Sequence, residues 1–410
     1  MSELKYWLWL SSLVRMRPRT KLLLLRELGG ARQIYFELEE RFRSLGYLTE
    51  RELEQLRDHS LDKALRIAEA CEREDIDILT LRDAAYPRRL AGIYDPPVVL
   101  YVKGRLPAMD EQAAIAVVGT RRASPYGLKM AAKLGYEITR CGGLVVSGLT
   151  QGVDSAAARG ALMTGGRCVG VLATPIDDLS WGGGLAVDVS MAGAVVSEYP
   201  PGAERHSSFF RARNRISSGL SVAAVVVEAP ERSGALLFAD EALSQGRELF
   251  VVPGNADSET SAGSNRLLVD CAAPAMNGWD VLSGFTGQFP GLRDPGRKQR
   301  SMPGQRLEES LRQEQLNAAE EGAPEQLAEK GVDKADSVDY IDLRKQLEGL
   351  EGERRAVAEA IDGPAVHIDE IVEKAGLPVQ TVLRELTLLQ LGGVVEKCGD
   401  KTFRLINTQK

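Results

Sequence analysis

Six short apolar runs, each followed by a stretch long enough for a helix, predict the α/β class: a Rossmann-like doubly wound, mainly parallel sheet, flanked by an N-terminal all-α domain and a C-terminal winged-helix domain. The runs lie at residues 115–118, 144–146, 168–172, 194–196, 223–227 and 249–252. They are continuous rather than alternating, as strands buried on both faces are, so helices must cover both sides of the sheet. Two further observations set the flanks. Before residue 72 apolar residues such as Leu22, Leu25 and Leu28 recur at helical spacing, and after residue 352 a helix, turn, helix and hairpin pattern closes the sequence.

In order along the chain, residues 1–71 are expected to form a helical domain of a SAM or helix-hairpin-helix-like kind, with Gly29-Gly30 as a helix stop. Its segment 15–26 carries five basic residues and no acidic one. That segment reads as a solvated helix face, because no Gly-x-Gly turn stands around Met16-Arg17-Pro18-Arg19 to bring backbone close to phosphates. The sheet domain spans 72–285 and opens with an extra extended segment at 97–102. Residues 286–352 read as an acidic flexible linker, a turn-rich basic stretch at 290–300 followed by sequence too polar to bury a core. Residues 353–410 form the winged helix: a helix to Ala360, a second over 368–375, Gly376-Leu377-Pro378 as the turn, a third helix through Leu391, and a hairpin from 394–397 and 402–405.

A hydrophobic content of 44% in 410 residues excludes wholesale disorder. The longest apolar runs, such as 22–25 and 222–227, fall far short of the roughly 20 residues that span a bilayer. The start, Met1-Ser2-Glu3-Leu4-Lys5, has no basic region followed by an apolar core. A cytoplasmic protein with no membrane partner is expected. Cys71, Cys141, Cys168, Cys271 and Cys398 are scattered with no Cys-x-x-Cys pair, which predicts neither disulfides nor a metal site. The formal charge of −7 argues against a nucleic-acid partner until it is located. Residues 307–354 hold 14 acidic and 6 basic residues, a net of −8, so the remainder of the chain sums to +1.

In a parallel sheet with right-handed crossovers the strands all end at one edge, where helix N-termini with unpaired N–H groups also gather. Small and hydroxyl residues follow the strands there: Gly119-Thr120-Arg121-Arg122-Ala123-Ser124, Ser147-Gly148-Leu149-Thr150-Gln151-Gly152-Val153-Asp154, Ser233-Gly234 and Pro253-Gly254-Asn255. Glycines permit close backbone approach, and hydroxyl and N–H donors suit phosphate. Arg205, Arg211, Arg213 and Arg215 crowd around Asn214 with only Glu204 beside them in sequence, and a guanidinium both matches phosphate oxygens and stacks on bases. Phe209, Phe210, Tyr126 and Trp181 are candidate platforms for the bases of a single strand, with packing against the sheet the alternative for the two phenylalanines. Asp154 reads as the N-cap of the next helix, and Glu198 and Glu228 as partners of the arginines. The candidate DNA- or phosphate-binding residues are Gly119, Thr120, Arg121, Arg122, Ser147, Gly148, Gly152, Arg211, Arg213, Asn214, Arg215, Ser233, Gly234 and Gly254. Dinucleotide-fold, P-loop and nucleophile-elbow signatures are missing from the expected turns, and the three histidines stand far apart, so no catalytic residue and no cofactor is expected.

The same residues carry a family resemblance. Gly119-Thr120-Arg121-Arg122-Ala123-Ser124-Pro125-Tyr126-Gly127, Ser147-Gly148-Leu149 with Gly152-Val153-Asp154, Ser197-Glu198-Tyr199-Pro200, Arg213-Asn214-Arg215-Ile216, Val227-Glu228-Ala229 with Ser233-Gly234-Ala235, and Val252-Pro253-Gly254 resemble, in order and spacing, the DNA-processing protein A (DprA/Smf) family. The resemblance implies a non-enzymatic recombination mediator: a homodimer that binds incoming single-stranded DNA in natural transformation, shields it and helps load a RecA-type recombinase. Three departures imply an altered pocket: Ala158 where the family often has His, Pro175 after the third strand, and Phe238 near an expected threonine. In the winged helix, residues 356–406 hold 5 basic and 8 acidic residues and the third helix offers only Arg384 near its middle, which points to protein contact or an accessory role rather than duplex reading. Two other classes stay open. A nucleotide-handling hydrolase of a related fold would carry Pro-Gly-Gly-x-Gly-Thr-x-x-Glu, of which Pro253-Gly254-Asn255 is a fragment, and a transcription factor would act through the winged helix.

Overall fold

Each of the six apolar runs forms a strand, and three further strands join them in one sheet. The computed structural model describes residues 3–14, 16–180, 184–304, 306–308, 311–312, 352–361, 366–379, 381–382, 385–386, 389, 395–399 and 402–405. The chain falls into two compact units, Met1–Gly322 and Ala323–Lys410.

The first unit opens with helices α1 (Leu4–Ser12), α2 (Pro18–Leu28), α3 (Ala31–Phe36), α4 (Glu39–Ser44), α5 (Glu50–Leu56) and α6 (Asp62–Arg73). Pro18 starts α2 where a missing N–H does no harm, and the helix ends at Gly29. Five consecutive residues of α1, Tyr6 to Leu10, are buried, and α1 packs on α6. The basic segment 15–26, read as a solvated face, is tied down at three positions, while Arg26 is exposed. Arg17 pairs with Glu52 (3.0 Å), Arg19 donates to the Tyr94 carbonyl (2.9 Å) and lies over its ring, and the buried Lys21 ammonium donates to the Ser11 carbonyl (2.9 Å). Arg15 lies outside the described residues.

The sheet part follows in order: β1 (Ile76–Thr80), α7 (Arg88–Ala91), β2 (Val99–Gly104), β3 (Ala114–Val118), α8 (Pro125–Arg140), β4 (Leu144–Ser147), α9 (Val153–Leu162), β5 (Cys168–Val171), α10 (Leu185–Ala192), β6 (Ala194–Ser197), α11 (Phe209–Gly219), β7 (Ala223–Val226), α12 (Gly234–Ser244), β8 (Glu248–Val251), α13 (Ala262–Asp270), β9 (Ala273–Pro274) and α14 (Gly278–Leu282). The strand order is β1-β2-β6-β5-β4-β3-β7-β8-β9. From β6 to β9 all pairings are parallel, while β1 and β2 add an antiparallel extension at one side. The chain winds outward from β3 to β6, returns to lay β7 against β3, and winds out the other way. The strand order therefore reverses between β3 and β7, where open α/β sheets form a crevice beyond the strand C-termini.

One apolar cluster runs from Tyr6 through the helical segment and one sheet face to Leu292. Residues 286–300, read as the start of a flexible linker, instead pack on this unit: Phe289 and Leu292 are buried, and the Arg293 N–H donates to the Cys141 carbonyl (3.0 Å). A short helix, α15 (Arg297–Arg300), follows. Residues 313–351 of that expected linker lie outside the described residues.

The second unit holds α16 (Gly352–Glu359), β10 (Val366–His367), α17 (Ile368–Ala375), β11 (Val395–Gly399) and β12 (Thr402–Leu405), with a three-stranded sheet in the order β10-β12-β11. Its core gathers Val357, Ile361, Ile371, Val382, Leu386 and Phe403. This is the winged helix the sequence predicts. Arg384 lies outside the described residues.

Candidate nucleic-acid interface

The carboxyl edge of β3, β4, β5 and β7 gathers the residues that sequence reasoning selected, but not all of them face outward. Thr120 anchors the first loop: its N–H donates to the Glu228 carbonyl (2.8 Å), and its own carbonyl receives the Val153 N–H (3.3 Å). Beyond it Arg121 and Arg122 are exposed, and the Arg121 guanidinium lies over the Phe210 ring, 4.8 Å from its centre. Arg211, one turn along α11, is exposed as well. Ser124 caps α8 through Gly127, and Ser233 caps α12 through Ala235. Gly234 is exposed at the start of that helix.

Two glycines are fixed by close approach. A side chain at Gly148 would overlap the Arg213 guanidinium, which donates to the Gly148 carbonyl (3.2 Å). Gly152 has φ +90°, and a Cβ there would lie 2.5 Å from the Thr120 carbonyl oxygen and 2.6 Å from that of Arg121, a placement only glycine tolerates. Between them Leu149, fully buried, is held at φ +55°, a left-handed conformation that costs a non-glycine residue about 1–2 kcal/mol.

Arg213 has a counter-ion that the sequence did not offer. Asp154 Oδ2 lies 3.7 Å from Arg213 Nη1, and the two side chains are 3% and 11% exposed. Burial pushes the Asp154 carboxyl above its ordinary value, against the pull of Arg213 and of the Thr150 hydroxyl that donates to it (2.9 Å). Burial likewise lowers the Arg213 guanidinium, against the pull of Asp154. Arg213 Nε is buried without a hydrogen-bond partner. Asn214 Oδ1 accepts from Arg213 Nη2 (3.4 Å). Asp154 is thus not the N-cap, a place taken by Gly152; it is the anion that holds Arg213 against the β4 loop.

Several expected site residues turn inward. Arg215 is 5% exposed and bound to Glu198 (2.7 Å) and Asp95 (3.2 Å). Burial would lower its guanidinium, but Glu198 outweighs that and raises it. Arg215 is therefore a core ion pair rather than a phosphate contact. Arg205 pairs with Asp178 (2.6 Å). Three of the four arginines meet anions, Arg211 being the exception among the described residues: the carboxylates come from a strand end, loops and the start of α9, which sequence adjacency does not reveal. Ser147 is 1% exposed and its hydroxyl donates to the Asp154 carbonyl (2.8 Å), so it braces the loop instead of facing a ligand. Glu228 is held by other groups among the described residues: its carboxylate accepts from the Ser124 N–H (2.7 Å) and the Thr260 hydroxyl (2.6 Å). Gly254 is half-buried and clasped by the Asn265 amide. Gly119 is half-buried where the first loop leaves β3.

Of the aromatic residues, Phe209 stacks on Tyr199 at 3.4 Å between ring centres, which is the packing alternative. Phe210 instead borders a small cleft with Gly148, Thr150, Leu172, Ala173 and Thr174. Tyr126 is 47% exposed and its hydroxyl donates to the Pro253 carbonyl (2.9 Å). Trp181 lies outside the described residues. Two of the sequence departures prove to be packing: Ala158 is fully buried in α9, and Phe238 is 2% exposed in the core under α12. Pro175 is buried in the turn after β5. Leu172, Ala173 and Thr174 of the β5 loop are what sequence reasoning missed, since none lies in a charged or glycine-rich run, while Thr150 stands in the second glycine loop but was not singled out.

Comparisons with known proteins place the chain in a family. The family model for DNA recombination-mediator protein A matches residues 77–286, and that for the DprA winged helix domain matches 343–401. A DNA processing protein DprA from Bacillus subtilis is 34% identical over 226 residues, 54% of this chain and 75% of the relative. Protein Smf from a Synechocystis species is 31% identical over 331 residues, covering 80% of this chain and 79% of the relative. The X-ray structure of DNA processing protein A from Streptococcus pneumoniae superimposes with a TM-score of 0.58 at 28% identity, covering 68% of this chain and 97% of that one. With a Rossmann-like sheet, a winged helix and these matches, the chain belongs to the DNA-processing protein A (DprA/Smf) family.

Proposed function

We propose that this protein binds single-stranded DNA along the carboxyl edge of its sheet and acts as a recombination mediator. In this reading it shields the incoming strand and helps load a RecA-type recombinase during natural transformation, as a homodimer and without chemistry on the strand. The observation that carries the reading is Arg121 lying over Phe210, beside Gly148 where Arg213 is held. A guanidinium's planar fork matches phosphate oxygens and also stacks on aromatic rings, and arginine with aromatic side chains is the combination that holds the backbone and bases of an unpaired strand. A base still paired and stacked in a duplex has no free face to offer an aromatic ring or a guanidinium, which favours single strands. The names of the relatives, DNA processing proteins, support DNA as the ligand.

Fluorescence anisotropy with a labelled oligonucleotide tests the site. If Arg121, Arg122 and Arg211 each neutralise one phosphate, log affinity falls against log salt with a slope of about −2, some 20-fold between 50 and 200 mM. Arg121→Ala combined with Arg211→Ala should lower affinity and flatten that slope by about 1.4. Unchanged affinity in the double variant would remove the site.

A further inference from the structure

A second basic surface lies at the opposite edge of the sheet. The 16 residues of α8 run from the candidate interface to an exposed Arg140, about 24 Å away at 1.5 Å per residue. The chain leaving the sheet returns to this edge. The Arg293 backbone is hydrogen-bonded at Cys141, next to Arg140, and α15, which carries Arg297 and Lys298, packs against α8. Arg167 enters from the other side, because Gly166 abuts the methyl of Thr139. Arg306 reaches the Met163 carbonyl at the end of α9 (2.6 Å). All six side chains belong to exposed residues. Residues 290–306 hold five basic residues and one acidic, and that one, Asp294, is taken by Arg300 (2.6 Å). Asp110 and Glu111 bound the face on its far side, across a shallow cleft that they line with Gly142 and Gly291.

We propose that this face is a second nucleic-acid site, which takes the phosphate backbone of another single-stranded segment. Five of the six cations are arginine, whose fork matches phosphate oxygens. No large apolar side chain of residues 286–308 is exposed, whereas a protein partner needs an apolar or aromatic anchor and a polyphosphate does not. Placed a helix length from the first site, it lets one chain hold two stretches of strand. The inference builds on the reading of the carboxyl edge as a single-strand site, and the two fail separately in the following experiment.

The number of decathymidine strands bound per chain is measured by titration at low salt for four proteins. These are the wild type, the carboxyl-edge variant Arg121→Ala/Arg211→Ala, the opposite-edge variant Arg140→Gln/Arg293→Gln/Arg297→Gln/Lys298→Gln, and the combination. The wild type should bind two strands per chain, each variant one, and the combination none. With six phosphate contacts the second class should weaken roughly 300-fold between 50 and 200 mM salt. The substituted residues are exposed, and circular dichroism of each variant checks that it is folded. The proposal is overturned if the opposite-edge variant binds as many strands as the wild type with the same salt slope. It is also overturned if polyglutamate, rather than decathymidine, is the polymer whose binding that variant loses. Loss of the second class in the opposite-edge variant, with no change in the carboxyl-edge variant, would keep this site and reject the first.

Discussion

Replacing Asp154 by Asn removes one charge from the candidate interface while keeping the side chain's size and an acceptor for the Thr150 hydroxyl. Arg213, 11% exposed and 3.7 Å from that carboxylate, is then left buried without its counter-ion. Unit charges at that distance interact by about 4 kcal/mol at an effective dielectric constant of 20, and breaking a buried pair from one side typically costs about 3–5 kcal/mol. Urea unfolding of Asp154→Asn should therefore show a loss of about 3–4 kcal/mol. A bound phosphate supplies the missing anion, so part of that loss returns on binding. Single-strand affinity should rise, tenfold for about every 1.4 kcal/mol recovered, and the salt slope should steepen by about 0.7 as Arg213 becomes one more phosphate contact. Anisotropy at 50, 100 and 200 mM salt reads both quantities. Weaker binding at an unchanged slope would refute the reasoning, because it would mean that Arg213 meets no phosphate.

Three further outcomes follow. Gly148→Ala places a methyl group where the Arg213 guanidinium now lies and breaks its hydrogen bond to the loop, so stability in urea should fall by about 1.5–3 kcal/mol, the value of one charged hydrogen bond; unchanged stability would contradict that contact. Glu198→Gln leaves Arg215 with Asp95 alone and should lower stability by about 2–4 kcal/mol in urea with no change in the salt slope, and a changed slope would put Arg215 on the DNA. Burial lowers the Lys21 ammonium to about 8. Between that value and its ordinary one near 10.5 the unfolded chain holds a proton that the folded chain has lost, so stability should rise with pH across this window. Lys21→Met should abolish the rise and add up to about 3 kcal/mol at pH 7; a variant no more stable than wild type at pH 7 would contradict the burial.

The six central strands were legible because strands covered on both faces must be apolar throughout, and Ala114–Val118 or Ala223–Val226 meets that demand without exception. β1 was not legible, since Ile76–Thr80 is an outermost antiparallel strand with exposed and half-buried residues between two buried ends. β9 has two residues, too few to leave a pattern. Among the candidate residues, the exposure of Arg121 and Arg122 was readable from local chemistry, whereas Gly148 is buried under Arg213, 65 positions away. Arg215 was not legible either, because its partners Glu198 and Asp95 stand 17 and 120 positions away. The same blindness to distant anions made a cluster of four arginines look uncompensated, when three of them meet carboxylates in the fold. Asp154 shows the converse: its place at the start of a helix suggested a cap, and only the return of α11 reveals it as the anchor of Arg213.

The most direct measurement is the affinity of the full chain for one oligonucleotide as a single strand and as its matched duplex, at 50 and 200 mM salt. Arginines beside aromatic rings on the carboxyl edge predict tighter binding of the single strand at both concentrations, with a loss of about 20-fold between them for three phosphate contacts. Equal or tighter binding of the duplex, or affinity that does not respond to salt, would contradict the assignment of that edge to single-stranded DNA.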